Sequence, residues 1–172
     1  MNGKIFLSLS LMAIATHFIS CTSQHNTSPT ENNADSVLVE AIGGYDSLAA
    51  AEYGADEYGM KQYVMAFLKK GPNRDLDSAA AMELQMAHME NIDRMAEEGK
   101  LVLAGPFLDT GELRGIYIFN VPTIEEAQDL TNTDPAIQAG SLIMELKPWY
   151  GSAALVPVND IHKTLSEQSI VN

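Results

Sequence analysis

The stretch that most constrains the fold is residues 84–107, LQMAHMENIDRMAEEGKLVLAGPF. Four of its side chains recur at spacings of four, four and three residues, which is the repeat of one helical face. They are Leu84, His88, Ile92 and Met95. Gly99 stands where a glycine commonly ends a helix. Residues 101–107, LVLAGPF, have hardly any polar side chain and therefore predict a strand covered on both faces.

The neighbouring segments predict three more strands and a second helix. A capping box of Thr123 and Glu126 opens the second helix, and residues 109–112, DTGE, predict a hairpin between two strands. The predicted strands and helices are strand 61–68, a helix from Asp77 or Ser78 to Glu98, strands 101–107 and 113–121, the helix after Thr123, and strand 141–149. This order predicts an α+β, ferredoxin-like split βαβ fold, with an antiparallel sheet and two helices on one face.

The second face of this predicted sheet carries apolar side chains. This face carries either Tyr63 and its alternate neighbours or Val64 and its alternate neighbours on strand 61–68. On strand 113–121 it carries the set of Tyr117 or that of Ile116. Two helices cover only one face of a four-stranded sheet, and an exposed apolar face of that size usually marks an interface. The pattern therefore predicts a homodimer that buries this face.

The first residues indicate export rather than a part of the fold. Lys4 is followed by the apolar run IFLSLSLMAIA, and the run ends near Cys21, which predicts a signal peptide at 1–20. The boundary resembles a bacterial lipobox, so Cys21 is predicted to be lipidated; an ordinary signal peptide with a chance cysteine is the alternative. Polar residues 21–36 predict a disordered tether. The predicted location is the bacterial cell envelope, with the protein lipid-anchored and facing the periplasm.

Two further segments flank the predicted domain at 61–150. Residues 37–60 predict a helical prelude, in which Asp46 or Ser47 caps a short helix that Gly54 stops. Residues 151–172 have weak periodicity and predict a C-terminal tail that trails along the surface.

Charge and composition exclude several classes of function. The formal net charge of −13 repels phosphate backbones, so nucleic acid is a poor partner. The predicted domain has one histidine, His88, and no cysteine, which argues against a zinc site. No phosphate-binding loop, dinucleotide fingerprint or nucleophile elbow is present, so the sequence implies no cofactor and no metal. A small-molecule ligand and a membrane contact through the lipid anchor alone remain as expected partners.

A set of motifs in fixed order resembles the YCII-related domain family. The motifs are AHMENIDRM, LVLAGPF, RGIYIF, EEAQDL, TDPAIQAG and LKPW. The resemblance implies a ferredoxin-like fold that pairs as a dimeric α/β barrel. It also implies a catalytic histidine and aspartate, which map on to His88 and Asp134, and acid–base chemistry such as elimination on small cyclic compounds. The signal and the prelude depart from the small cytosolic form, so the substrate stays open.

Both members of this pair have a structural alternative. His88 is either a core histidine bonded to a backbone carbonyl or a general acid or base near neutral pH. Asp134 precedes Pro135, a pattern that helix starts prefer for backbone reasons alone. A carboxylate has two oxygens, however, so one oxygen can cap the helix while the other orients an imidazole.

Arg114 and Gly105 are the candidate substrate-binding residues. The planar guanidinium of Arg114 suits an anionic group, although pairing with one of the many carboxylates is the alternative. Gly105 lets a ligand approach the backbone, although a strand end explains this glycine equally well.

Two classes of function follow from these residues. The first is a small-molecule enzyme of lyase or isomerase type, in which His88 moves a proton and Asp134 orients it. The second is a non-catalytic, membrane-tethered ligand-binding or interaction module. An accessible pocket at His88 favours the enzyme, whereas a His88 sealed in apolar contacts favours the module.

Overall fold

The computed structural model describes residues 44–168. The predicted signal peptide, Cys21, the tether to residue 36 and the first part of the prelude at 37–43 lie outside the described residues. Across residues 44–168, no helix has both the length and the apolar character that crossing a membrane requires.

Residues 44–168 contain five α-helices, four strands and one 3-10 turn. In sequence they are α1 (Ser47–Tyr53), β1 (Met60–Lys70), α2 (Ser78–Glu97), β2 (Leu101–Pro106), β3 (Leu113–Phe119), α3 (Ile124–Thr131), α4 (Pro135–Gln138), β4 (Leu142–Ser152), a 3-10 turn (Ala153–Leu155) and α5 (Val158–Leu165).

Within residues 44–168 the strands form one sheet of four, in the order β2-β3-β1-β4. Every neighbouring pair in it is antiparallel. The first and third strands lie in the centre, and the helical connections carry the chain to the two edges. This is the ferredoxin-like order, so the predicted α+β fold class is confirmed.

The ends of α2 follow the signals in the sequence. Asp77 caps the first turn, because its carboxylate accepts the backbone N–H of Ala80 at 2.9 Å. Gly99 follows the helix with φ of 68°, a left-handed conformation that glycine adopts without steric cost. The backbone N–H of Lys100 then donates to the carbonyl of Met95 at 2.9 Å, which closes the helix end and turns the chain into β2.

The main core lies between the helices and one face of the sheet. The even-numbered residues of β1 share one face, as do the odd-numbered residues of β3, and the structure turns both sets towards the helices. The buried members of this cluster are Val64, Ala66, Leu68, Met95, Leu101, Tyr117, Phe119, Val121 and Ala127. We call this side of the sheet the helix face.

The opposite side, which we call the second face, is partly covered by the C-terminal segment. Tyr63, Val102 and Ile118 form its buried cluster, and Leu155 and Val156 pack against them. The prediction that residues 151–172 trail along the surface is therefore wrong for residues 151–156, whereas α5 after them has no buried residue. β4 runs on to Ser152, and the chain then folds back as a 3-10 turn and α5. The apolar side chain of Leu155 in the 3-10 turn packs on the sheet. The weak periodicity of this segment does not predict that contact.

Two strand predictions also differ from the structure. β2 is an edge strand, and from Leu103 onward its residues are half-buried or exposed, so it is not covered on both faces. β4 spans Leu142–Ser152 rather than 141–149, and it contains Pro148, which pairs with Val64. Proline is tolerated there because β4 lies at the other edge of the sheet and that backbone nitrogen needs no ladder partner.

Candidate active site

His88 lies on the inward side of α2, between the helix and the sheet. It is 7% exposed, and Met95 on the same helical face is completely buried. His88 belongs to the apolar face of α2, and its imidazole therefore lies in the interior. A buried imidazole requires hydrogen-bond partners, because an unpaired buried polar group is costly.

Asp134 comes to the same place from the short helix α4. Its backbone is extended, with φ of −76° and ψ of 118°, and Pro135 occupies the first helical position. One carboxylate oxygen, Oδ1, accepts the backbone N–H of Ala136 at 2.8 Å. Asp134 therefore caps the helix, as its sequence context predicts, and its side chain is completely buried.

The histidine and the aspartate are in direct contact. Nδ1 of His88 lies 2.9 Å from both Oδ1 and Oδ2 of Asp134. A carboxylate only accepts hydrogen bonds, so Nδ1 carries the proton and donates it to the carboxylate. In the neutral ring the other nitrogen, Nε2, then keeps its lone pair and is the basic atom.

Tyr117 supplies the third member of the cluster from strand β3. Its hydroxyl oxygen lies 3.2 Å from Nε2 of His88, and the two rings are nearly parallel, at 21°. With Nδ1 protonated, the hydroxyl donates to Nε2. Burial, and to a smaller extent the charge of Asp134, raise the pKa of the Tyr117 hydroxyl, so it keeps its proton at neutral pH. Tyr117 is not among the candidate residues of the sequence, because strand alternation does not say which face of β3 the helices cover.

A second polar group holds the Asp134 turn against α2. The guanidinium Nη2 of Arg94 donates to Oδ1 of Asn91 at 2.8 Å and to the Thr133 hydroxyl at 3.0 Å. These contacts fix the residue before Asp134 to the helix that carries His88. Nδ2 of Asn91 is the one buried side-chain polar atom in residues 44–168 that has no hydrogen-bond partner. Sequence reasoning missed Asn91, whose only signal is its position one helical turn after His88.

The two predicted substrate-binding residues lie apart from this pair. Nη1 of Arg114 donates to the backbone carbonyl of Asp109 at 3.3 Å, inside the β2–β3 hairpin. Gly105 pairs with Ile116 in the ladder, and a Cβ added to Gly105 would meet nothing within 4 Å. Within the described residues, no hydrogen bond joins either one to His88 or Asp134.

The glycine that a close backbone approach requires is instead Gly115. A Cβ added there would lie 2.6 Å from the carbonyl oxygen of Gly105 on the neighbouring strand. Two surface recesses lie elsewhere on the domain, and neither is lined by His88 or Asp134. One contains Asn73 and Asp75, and the other contains Asp56, Lys61 and Tyr150. Between residues 44 and 168 there is no cluster of three His, Cys, Asp or Glu side chains placed to hold a metal ion.

Comparison with known proteins identifies a matching protein family. The family described as YCII-related domain matches residues 62–150. An uncharacterized protein of Bacillus subtilis (strain 168), YjpA, is 36% identical over 63 residues, which are 36% of this chain and 71% of that protein.

Among solved structures, the chain resembles 5-chloro-2-hydroxyhydroquinone dehydrochlorinase (TftG) from Burkholderia phenoliruptrix AC1100, in complex with 2,5-dihydroxybenzoquinone. The TM-score is 0.39 and the identity 17%, and the match covers 50% of this chain and 92% of the other. A likeness this slight carries no argument about the site. The family match over more than half of the chain and the Bacillus relative show that this protein belongs to the YCII-related domain family.

Proposed function

We propose that the protein is a small-molecule enzyme of lyase or isomerase type, in which His88 moves a proton and Asp134 orients it. The observation that carries this proposal is the contact of Nδ1 with both Asp134 oxygens at 2.9 Å inside a buried site. Membership of the YCII-related family supports a small-molecule enzyme in general terms.

The contact suits general acid–base catalysis for two physical reasons. The carboxylate fixes the ring orientation and tautomer, so that Nε2 is the nitrogen that exchanges protons. When Nε2 takes a proton, the adjacent carboxylate stabilises the resulting imidazolium. Elimination and isomerisation both require a proton to be removed from one atom of a small molecule, which a neutral histidine does near neutral pH.

The test compares His88→Gln and Asp134→Asn with the native protein. A thermal-shift screen of small cyclic compounds first finds ligands, and turnover of those ligands is then followed by product analysis. We expect His88→Gln to keep the fold and to lower turnover by about 10²- to 10⁴-fold, the usual contribution of a general acid or base. Asp134→Asn lowers turnover and also weakens the helix cap.

The matched control is His162→Gln, because His162 is an exposed histidine on α5. We expect this control to have native turnover. Native turnover in His88→Gln would contradict the catalytic role.

A ligand-binding module without catalysis is the second candidate, and the low exposure of His88 favours it. The recess lined by Asp56, Lys61 and Tyr150 lies away from His88 and offers charged and aromatic groups to a ligand. If the native protein binds a ligand without converting it, and Lys61→Ala weakens binding while His88→Gln does not, this second function is the right one.

Arg114 and Gly105 enter the proposal as a second contact point for an anionic substrate. Arg114 is half-buried, and among residues 44–168 its guanidinium donates to one backbone carbonyl of the hairpin. Its other donors are left for an anionic ligand. Gly105 adds no side chain beside it. Arg114→Gln is expected to raise KM with little change in kcat, and an unchanged KM would remove Arg114 from the substrate site.

We further propose a homodimer that buries the open part of the second face. Ile143 is 49% exposed on this face, and Phe67 is half-buried on the neighbouring strand. Light scattering on the domain tests the assembly, and twice the mass of one chain is expected. Replacing Ile143 with Lys is expected to yield monomers, and a native protein that is monomeric at micromolar concentration would contradict the dimer.

Cys21 is proposed as the site of a lipid anchor that holds the protein in the bacterial envelope, facing the periplasm. The apolar run that ends at this lone cysteine supports the proposal. Cys21→Ser is expected to release the protein from the membrane fraction. A variant that sediments with membranes as completely as the native chain would rule out this anchor.

A further inference from the structure

We propose that Tyr117 is a catalytic residue, whose hydroxyl donates a hydrogen bond to an oxygen of the substrate while that same oxygen gives its proton to Nε2 of His88. This inference rests on the proposed role of His88 and adds the substrate class, a small molecule with an acidic hydroxyl group such as a phenol or an enol.

At rest, the Tyr117 hydroxyl is hydrogen-bonded to His88. Asp134 holds the proton of His88 on Nδ1, so the Tyr117 hydroxyl donates to the lone pair of Nε2 at 3.2 Å. No other hydrogen bond is made by the Tyr117 hydroxyl among residues 44–168. Its proton therefore has one acceptor, and that acceptor is the basic nitrogen of the pair.

Protonation of the His88 ring removes the acceptor of this hydrogen bond. Once Nε2 carries a proton, it has no lone pair, and the Tyr117 hydroxyl loses the acceptor for its own proton. A buried donor without an acceptor is unfavourable. The hydroxyl is satisfied again only if an acceptor arrives with the proton that protonates His88.

A substrate hydroxyl meets this requirement with a single oxygen atom. Its O–H bond breaks, the proton forms an N–H bond at Nε2, and the electron pair stays on the oxygen as negative charge. Tyr117 then donates to this oxygen, and Asp134 balances the positive charge on the ring. The raised pKa of Tyr117 supports this assignment, because the hydroxyl stays a donor and does not itself give a proton to His88.

The residues next to Tyr117 on the sheet have small side chains. Its partners on the two neighbouring strands are Ala66 and Ala104, and Gly115 lies two residues before it on the same face. Ala104 is exposed, because β2 is an edge strand. His88 retains 7% of its surface in contact with solvent, whereas Asp134 retains none, so a ligand approaches the pair from the side of the imidazole.

The experiment measures binding of 4-nitrophenol, whose absorbance reports whether its oxygen has lost the proton. We expect the native protein to bind it and to shift its spectrum towards the phenolate at a pH where the free compound is mostly protonated. Tyr117→Phe is expected to weaken binding at least about tenfold, since a hydrogen bond to a charged oxygen is worth at least that factor.

Tyr63→Phe is the matched control, because Tyr63 is an equally buried tyrosine on the second face whose hydroxyl donates to the carbonyl of Ser152 at 3.0 Å. We expect this variant to bind 4-nitrophenol like the native protein. Native affinity in Tyr117→Phe, or no binding by the native protein at millimolar concentration, would overturn the inference. His88→Gln separates the two proposals: a spectral shift that survives in this variant refutes His88 as the base. A shift lost in His88→Gln but unchanged in Tyr117→Phe refutes only the role of Tyr117.

A ligand comparison on the native protein covers the case in which Tyr117→Phe does not fold. 4-Nitroanisole has the same ring but a methyl group in place of the hydroxyl proton. It is expected to bind at least about tenfold more weakly than 4-nitrophenol, for the same reason. Equal affinity for the two compounds would show that the hydroxyl is not recognised.

Discussion

The two faces of the sheet each bury one tyrosine, and the partners of the two hydroxyls differ. Tyr117 on the helix face is 2% exposed and Tyr63 on the second face is 1% exposed. The hydroxyl of Tyr63 donates to the backbone carbonyl of Ser152, whereas that of Tyr117 donates to the ring of His88. A carbonyl cannot change its protonation near neutral pH, but an imidazole can.

The difference separates a hydrogen bond to a fixed backbone acceptor from one to a titratable side chain. On the second face the hydroxyl ties the end of β4 to β1, and no titratable side chain of residues 44–168 hydrogen-bonds to it. On the helix face the same group belongs to a chain of three that runs from Asp134 through His88 to Tyr117. Burial alone therefore does not identify a functional side chain; the partner of its polar atom does.

The largest expected effect tests whether the polar cluster also anchors the helix face. Asp134→Ala removes a helix cap and leaves the buried imidazole without its partner, so we expect it to lower the free energy of unfolding by about 3 kcal/mol or more. Asp46→Ala, at the exposed cap of α1, is the control and is expected to cost about 1 kcal/mol. Urea denaturation measures both. Equal losses would show that the Asp134–His88 contact adds nothing to the fold.

A smaller loss is expected on the second face. Replacing Leu155 and Val156 together with alanine removes the side chains that cover Tyr63 and Ile118, at a cost of about 2 kcal/mol for these half-buried groups. Leu165→Ala, at a residue that is 77% exposed, is the control and is expected to change stability little. If the double variant has native stability, the C-terminal segment does not stabilise this face.

The two tyrosines themselves are compared at alkaline pH. Burial raises the pKa of both hydroxyls, and the charge of Asp134 raises that of Tyr117 further. The unfolded chain therefore loses these protons first, and native stability falls as pH rises above about 10. Tyr117→Phe is expected to flatten this fall more than Tyr63→Phe in urea titrations between pH 8 and about 11.5. An equal flattening would show that Asp134 has no influence on Tyr117.

The smallest effect is expected at an exposed ion pair on the second face. Hydrogen bonds from Lys147 and then Lys69 lower the pKa of Glu145 from 4.5 to about 2. The stabilisation is present above pH 4.5 and is lost as pH falls towards about 2. Solvent screens these groups, so Glu145→Gln should reduce acid sensitivity only slightly, and less in high salt. A large change would mean that the group is shielded from solvent, as it would be inside a dimer interface.

The order of elements and the inward side of α2 were predictable because each depends on local patterns. Spacing along α2 places His88 inward, and the glycine and capping signals mark both ends of that helix. The contact between His88 and Asp134 joins residues 46 positions apart, and it was expected from the family resemblance rather than from any pattern.

What the sequence did not reveal depends on partners distant in the chain. The hydroxyl of Tyr117 is a site feature only because α2 packs over β3, and an alternating pattern does not report what lies above a strand. The second face was expected to be open because Leu155 and Val156 follow no clear period. They are buried because they pack on Tyr63, Val102 and Ile118, which lie far before them in the sequence.

The two duties of Asp134 narrow which residues this position tolerates. A helix start accepts asparagine, serine or threonine almost as well as aspartate, so capping alone would let the position drift among them. A carboxylate on a longer side chain would suit an imidazole but not the cap geometry. Aspartate is the residue that satisfies both requirements, so selection on the helix and selection on the histidine act on one codon. In a related protein without the proposed proton transfer by His88, position 134 would be expected to keep a capping residue but not the carboxylate.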